Sequence, residues 1–511
     1  MRWTRRGFLG TAAGAGLAGS LADLNAFLPL SPLSAAEAQV TPDLVRLRPE
    51  IEPLVRLIEE TPRDKCFELL AAQLKAGLPY RNFLAALFLA GIRNVNPQPP
   101  GFKFHCVFVI HAANQMSLDA RPEERLLPLF WALDDFKASQ AKDVSEGDFK
   151  LPPAQSAGLS REKAWQEFHA GMEAWDAERA DRAIPDLVSQ ASSHEIIEAF
   201  WRYGARDFRN IGHKAIFVAN AWRTLQTIGW QHAEPALRSL LLGLLDFGRG
   251  KRVNEYDFEG QTYLSNLARV QDTTRVLPGD WLRPAADAAA SEQLLATFRE
   301  AAPHDACSAV YDDLLAGRLT AATAWDAAHL MAGELMLRQP GIYGIHTVTS
   351  INGLHYAFRT SSDQQTRVLM LLQAIGWMTQ FRHFMAAKPQ GLSNTLLTGL
   401  SPADLPDSEA AAAESVLEAI GRDAPQAASR ALAYGRKYYQ SEVLFTAARR
   451  LVITKGTDAH DYKYPAAIFE DTDLISPHFR PHMLAVATYH LRGTSQPDSP
   501  LIEQARAAIK L

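Results

Sequence analysis

Almost no stretch of this chain alternates apolar and polar residues with the period of a half-buried strand. From Thr41 onward, apolar residues instead recur at helical spacing nearly without interruption. The expected fold is therefore all-α: an irregular α/α superhelical stack of about twenty helices, with no fixed-period repeat. Thr41 and Thr61, each followed by proline, read as N-caps of an amphipathic pair over Pro42–Glu60 and Pro62–Ala76. Further helices are expected over Tyr80–Ile92, Phe102–Leu118, Arg121–Ala141, Ser160–Ala177, Ala180–Gln190 and Gln231–Phe247. Others follow over Ala285–Arg299, Pro303–Ala316, Thr320–Arg338, Asp363–Ala387, and from Ser408 to the end. Lys142–Leu159 and Gly248–Gly260 read as long loops, the second a candidate lid, and Gly391–Leu405 as a third.

With 47% hydrophobic and 21% charged residues in 511, the chain is an ordered globular protein. One helical domain over 39–511 is expected, with a sub-boundary near 248–285. The net charge of −5 excludes general nucleic-acid binding, since the one basic cluster, Arg249-Gly-Lys251-Arg252, is short and sits in a loop. Outside the N-terminus no apolar run approaches membrane-spanning length.

The N-terminus has a sharper pattern. Thr4-Arg5-Arg6-Gly7-Phe8-Leu9 matches the twin-arginine export motif, a Gly/Ala-rich stretch runs from Gly10 to Ala22, and Ala36-Glu37-Ala38 forms a cleavage site before Gln39. Residues 1–38 are thus expected to be a signal peptide engaging the twin-arginine translocase, and the mature protein to be periplasmic or secreted with no membrane span. Losing three arginines and two acidic residues leaves the mature chain at −6. Cys66, Cys106 and Cys307 are too few and too scattered for a disulfide framework or a thiolate metal site, and buried free thiols are expected.

Ser193–Trp230 is dense in apolar and aromatic residues yet carries His194, Glu198, Arg202, Arg206, Asp207, Arg209, His213, Lys214, Asn220 and Arg223. A buried charge needs a partner or a ligand, so this segment reads as one wall of a polar pocket. Gly204 and Gly212 divide it into two helices, with Arg206, Asp207 and Arg209 at the corner as an ion-paired turn. His194 and Glu198 share a face, as do His213 and Asn220, with Arg223 and Thr224 a turn beyond. In Phe102–Leu118, His105 and His111 point about 120° apart, so both cannot line one site; His111, beside Asn114 and Gln115, is the better pocket candidate. In Gly341–Ser362, Asn352, His355, Tyr356 and Arg359 form a stripe, with His346 on the opposite face. A third polar cluster surrounds His460. His478 and His482 have metal-ligand spacing but read as a surface helix start. A lone histidine in an apolar helix is ordinarily a hydrogen-bonded core residue; three apolar segments each carrying one with Asn, Tyr or Arg favour a pocket.

The expected chemistry has His213 or His355 moving a proton or ligating, with Tyr356 beside them and Arg223 or Arg359 stabilising an anion. His111, Asn220, Asn352 and Trp222 would line a site for a small aromatic or polycyclic substrate. An alternative is a transition metal held by His194, Glu198, His213 and His346. No Glu-x-x-His occurs, which argues against a di-iron bundle. The other alternative is a non-catalytic helical binding or scaffold protein.

Gly344-Ile-His346-Thr-Val-Thr349, with Leu354-His355 and the run LMLLQAIGW at Leu369–Trp377, resembles the questin oxidase-like family. The resemblance covers Gly341–Trp377. It implies an all-helical fold, oxidative ring opening of an anthraquinone by a Baeyer–Villiger-type reaction without a flavin-binding fold, NADPH as the reductant, and His346 and His355 as pocket residues. The export signal departs from that family, whose members are cytoplasmic biosynthetic proteins.

Overall fold

The computed structural model describes residues 45, 47–247, 257–272, 274–439 and 442–510. The twin-arginine motif, the cleavage site and the Arg249–Arg252 cluster lie outside the described residues. Within them the chain forms 22 α-helices and no strand. In order these are α1 Glu52–Glu60, α2 Cys66–Lys75, α3 Tyr80–Asn94, α4 His105–Leu118, α5 Leu127–Glu146, α6 Arg161–Ala174, α7 Ala177–Gln190 and α8 Ser193–Gly204. Next come α9 His213–Ile228, α10 Ala233–Leu244, α11 Phe258–Gln271, α12 Ala288–Glu300, α13 Pro303–Leu315, α14 Ala321–Arg338, α15 Ile342–Thr360 and α16 Gln364–Ala386. The last six are α17 Glu409–Ala419, α18 Ala424–Tyr438, α19 Glu442–Lys455, α20 Ala459–Leu474, α21 Arg480–Ala487 and α22 Pro500–Lys510. Among the described residues no helix is long and apolar enough to cross a membrane. Cys66, Cys106 and Cys307 are free and buried.

Side-chain caps fix many starts. Ser192 and Glu195 form a capping box at α8, Thr320 caps α14, Asp363 caps α16, and Asp458 with Asp461 forms a second box at α20. Some expected boundaries move. The first described helix, α1, starts at Glu52 with Pro53 in its first turn, where a missing N–H costs nothing, and Thr41 and Pro42 lie outside the described residues. α5 runs past Ala141 to Glu146, so the expected loop from Lys142 begins only at Gly147, whose φ of 139° ends the helix. Phe258–Gly260, expected at the end of a lid, already belong to α11, and residues 248–256 lie outside the described residues.

α15 is the central strut: it packs against α9, α14, α16 and α20, and its residues from Gly344 to His355 are all buried. Two glycines bring α9 close to it. A Cβ on Gly212 would lie 2.4 Å from Ser350 Cβ, and one on Gly353 would lie 3.2 Å from the Ala215 carbonyl. Gly212 also holds φ at 82°, which a side chain would strain. The distance between these helices sets the distance between His213 and His346.

Candidate metal centre

Four histidines come from the N-terminal ends of four helices. His105 is the first residue of α4, His213 the first of α9, His460 the second of α20, and His346 the fifth of α15. His213 Nε2 is 2.9 Å from His105 Nε2 and 2.9 Å from His346 Nε2. The ligand atoms of these three lie within 4.8 Å of one another. Gly101, just before α4, admits the His213 ring: a Cβ there would come within 3.1 Å of His213 Nε2.

The outer sides of two rings fix their tautomers. His213 Nδ1 is 2.5 Å from the Asn210 carbonyl, and His346 Nδ1 is 2.6 Å from the Ile342 carbonyl. A carbonyl only accepts, so each Nδ1 carries the proton and each neutral Nε2 presents a lone pair. Burial holds all three imidazoles neutral: His213 is pushed down to about 3, and His105 and His346 lie well below the ordinary histidine range. The His213 and His346 lone pairs therefore face each other at hydrogen-bond distance with no hydrogen between them. Backbone carbonyls tying the far nitrogen are the usual support for metal-ligating histidines. Two nitrogens about 2.0–2.1 Å from one ion, at right angles, stand about 3.0 Å apart.

His460 completes the ring of imidazoles, its centroid 4.7 Å from His105 and 5.3 Å from His346. Its Nδ1 is 2.6 Å from Asp458 Oδ1, while its buried Nε2 has no partner. The contact with His460 helps hold the Asp458 carboxyl below its usual range. The buried Lys463 amine on α20 also lacks a partner, and burial lowers it to about 7. Lys463 borders a cavity of about 20 Å³ with His111, Gln115, Asn220, Arg223 and Asn352. That volume suits one water molecule and leaves no room for a ring system, so the expected polycyclic substrate does not fit among these residues.

The structure regroups the residues singled out in the sequence. His213 and His346 converge, but His194 and Glu198 do not join them. His194 is exposed near Trp222, and Glu198 accepts hydrogen bonds from Ser361 Oγ and the Ser362 N–H. α8 presents that face to the turn before α16, not to the α9 start. His105, passed over for His111, is the third member, because α4 begins at His105 and its first turn meets the α9 and α15 starts. Both ring nitrogens of His111 are buried without partners beside the small cavity. The corner is ion-paired only in part: Asp207 accepts from Arg209 and from Lys214 and its carboxyl is lowered to about 2, while Arg206 donates Nη1 to the Met172 carbonyl and keeps a buried Nε and Nη2 without partners. Arg223 donates to Asn352 and Glu470 and lies 3.9 Å over the Tyr356 ring. Asn220 donates to the Phe108 carbonyl, and Tyr356 to Gln226. Trp222 packs edge-on against Trp230, away from the cluster.

His355, on the face of α15 opposite His346, pairs with His329 of α14: His329 Nε2 lies 2.8 Å from His355 Nδ1. Arg359 is half-exposed, 3.6 Å from Glu470. His478 is exposed near Glu292 and His482 is buried, so their spacing makes no site. The sequence reading missed His329 and Asp471, and took Lys463 only as part of the polar cluster around His460. Each is buried and keeps one polar atom without a partner, His329 Nδ1, Lys463 Nζ and Asp471 Oδ2, although His329 Nε2 meets His355 and Asp471 Oδ1 accepts from Asn352.

No family model, no curated protein and no solved structure matches this chain.

Proposed function

We propose that the chain is a metal-dependent enzyme whose centre is a divalent transition ion held by His105, His213 and His346, with His460 as a fourth ligand or proton acceptor. The observation that carries this reading is the pair of facing Nε2 lone pairs on His213 and His346, 2.9 Å apart, which a cation between them relieves. Three neutral imidazoles would leave a bound ion its full charge, and its chemistry there would be that of a Lewis acid. The cavity bordered by Lys463 holds about one water molecule, and none of the four histidines lines it. Lys463, with an amine near neutrality, would give or take a proton on the α20 side of the centre.

We also propose export by the twin-arginine route and, from the questin oxidase-like resemblance, oxidoreductase chemistry. Export of an already folded protein suits a centre built from residues this far apart in sequence. The test is metal analysis of the mature protein purified without chelator, beside His213→Ala and His346→Ala. About one transition ion per chain is expected, lost in both variants. A folded wild-type protein that takes up none of Mn, Fe, Co, Ni, Cu or Zn at micromolar concentration overturns the reading.

A further inference from the structure

The second histidine pair lies at the edge of an open cleft of about 560 Å³ between α14, α15 and the α20–α21 turn. Its walls are largely apolar: Leu282, Pro284, Trp325, Phe358, Leu474 and Ile475 contribute. Trp325 stacks on His355 with ring centres 4.2 Å apart and planes 13° apart, and Phe358 meets Trp325 edge-on at 5.3 Å. A cleft of this size with apolar walls and a few converging polar groups has the character of a small-molecule site.

Among the lining polar groups without partners, Trp325 Nε1 and Arg480 Nε are donors, Asp326 Oδ2 is an acceptor, and His329 Nδ1 and Ser476 Oγ can serve as either. The Trp325 indole N–H is buried and unpartnered, with Trp325 itself only 3% exposed. Arg480 Nε is likewise buried and unpartnered, while its Nη2 donates to the Asp473 carbonyl. Arg359 stands at the cleft too, its one ion pair the long contact to Glu470. Deeper, His329 Nδ1 lies 3.7 Å from Asp471 Oδ2, and neither atom has a hydrogen-bond partner. Asp326 is the opposing charge: its Oδ1 accepts from the Ser476 N–H, its Oδ2 is free, and burial raises its carboxyl above the ordinary range. Buried donors left unmade are costly, and two arginines with an indole N–H suit the oxygens of an anion.

We infer that this cleft is a binding site for a monocarboxylic acid with an apolar body, its carboxylate met by Arg359, Arg480 and the Trp325 N–H and its body lying along Phe358, Leu474 and Ile475. The inference is independent of the metal centre, since no residue is shared between them. 4-Phenylbutyrate and 4-phenylbutanol, which share a body and differ in the head, are the probes, titrated by calorimetry and by ligand-observed NMR against the mature protein. The acid is expected to bind about ten- to hundredfold more tightly than the alcohol, the range of a charge-assisted hydrogen bond. Arg480→Gln and Trp325→Phe should each narrow that ratio, the acid losing more affinity than the alcohol. The chelator-treated protein, checked as folded by circular dichroism, should bind the acid as well as the untreated one. Equal affinity for the two probes, binding of neither, or a ratio unmoved in both variants overturns the inference.

Discussion

The two ends of α15 use the same side chain in opposite ways. At the His346 end, backbone carbonyls hold the protons on Nδ1 of His213 and His346, so bare nitrogens crowd together. At the His355 end, the Nε2 of His329 meets the Nδ1 of His355 at 2.8 Å, and one proton shared along that line satisfies both. One arrangement calls for a cation, whereas the other holds a hydrogen. Nine residues of helix, about 13 Å, separate them. α20 runs alongside with its ends matched: His460 stands at the first centre, and Asp471 faces His329 at the second. What an imidazole does here is set by what ties its far nitrogen and by the space in front of it.

The sharpest way to break the comparison is to remove the shared vertex of the first centre. His213→Ala should weaken metal binding by more than about 100-fold, well beyond the 10–100-fold typical of supporting residues. His329→Ala should leave the metal content unchanged. Competition with a chromogenic chelator reads both. Should His329→Ala also strip the metal, the two ends are one site.

Next in size is Gly212→Ala. The added methyl meets Ser350 Cβ at 2.4 Å in a backbone with φ 82°, so a loss of about 2–4 kcal/mol in chemical denaturation is expected, with metal lost in parallel. Gly279→Ala, with nothing within 4 Å, is the neutral control.

Acid should expose the shared property of the two ends, their neutrality. Burial holds His213 and His329 at about 3 in the folded state, against about 6.5 unfolded. The unfolded chain therefore binds more protons between those values. Stability is full above pH 6.5 and falls as pH drops toward 3, by up to about 1.4 kcal/mol per unit for each such histidine. Denaturation at pH 7, 6 and 5, with and without added metal, checks this. Bound metal should shift the decline to lower pH, and His329→Phe should make it shallower without that shift.

The smallest effect sharpens the role of His460. Asp458→Asn removes the charged partner of its Nδ1, and metal affinity should fall by about tenfold, with His213 and His346 still binding. No change would leave His460 outside the coordination sphere.

The helices were legible because apolar period acts locally; the caps were less so, since Thr61, read as opening the second helix, closes α1, and α2 starts only at Cys66. The centre was half legible. His213 and His346 stood out as polar residues in segments otherwise built for a core. His105 was set aside on helical phase relative to His111, a correct statement about angles that does not say which of the two meets a neighbour. His194 and Glu198 shared a helical face, yet α8 turns that face toward Ser361. His329 and Asp471 carry no local mark, because the partner of each comes from another helix.

The first centre draws its imidazoles from positions 105, 213, 346 and 460 of a 511-residue chain. During synthesis no fragment ending before position 460 contains the full set, so nine-tenths of the polypeptide must be made before the last imidazole exists. On the proposed reading, a product that stops before position 460 carries three of the four imidazoles and lacks α20, which supplies the fourth.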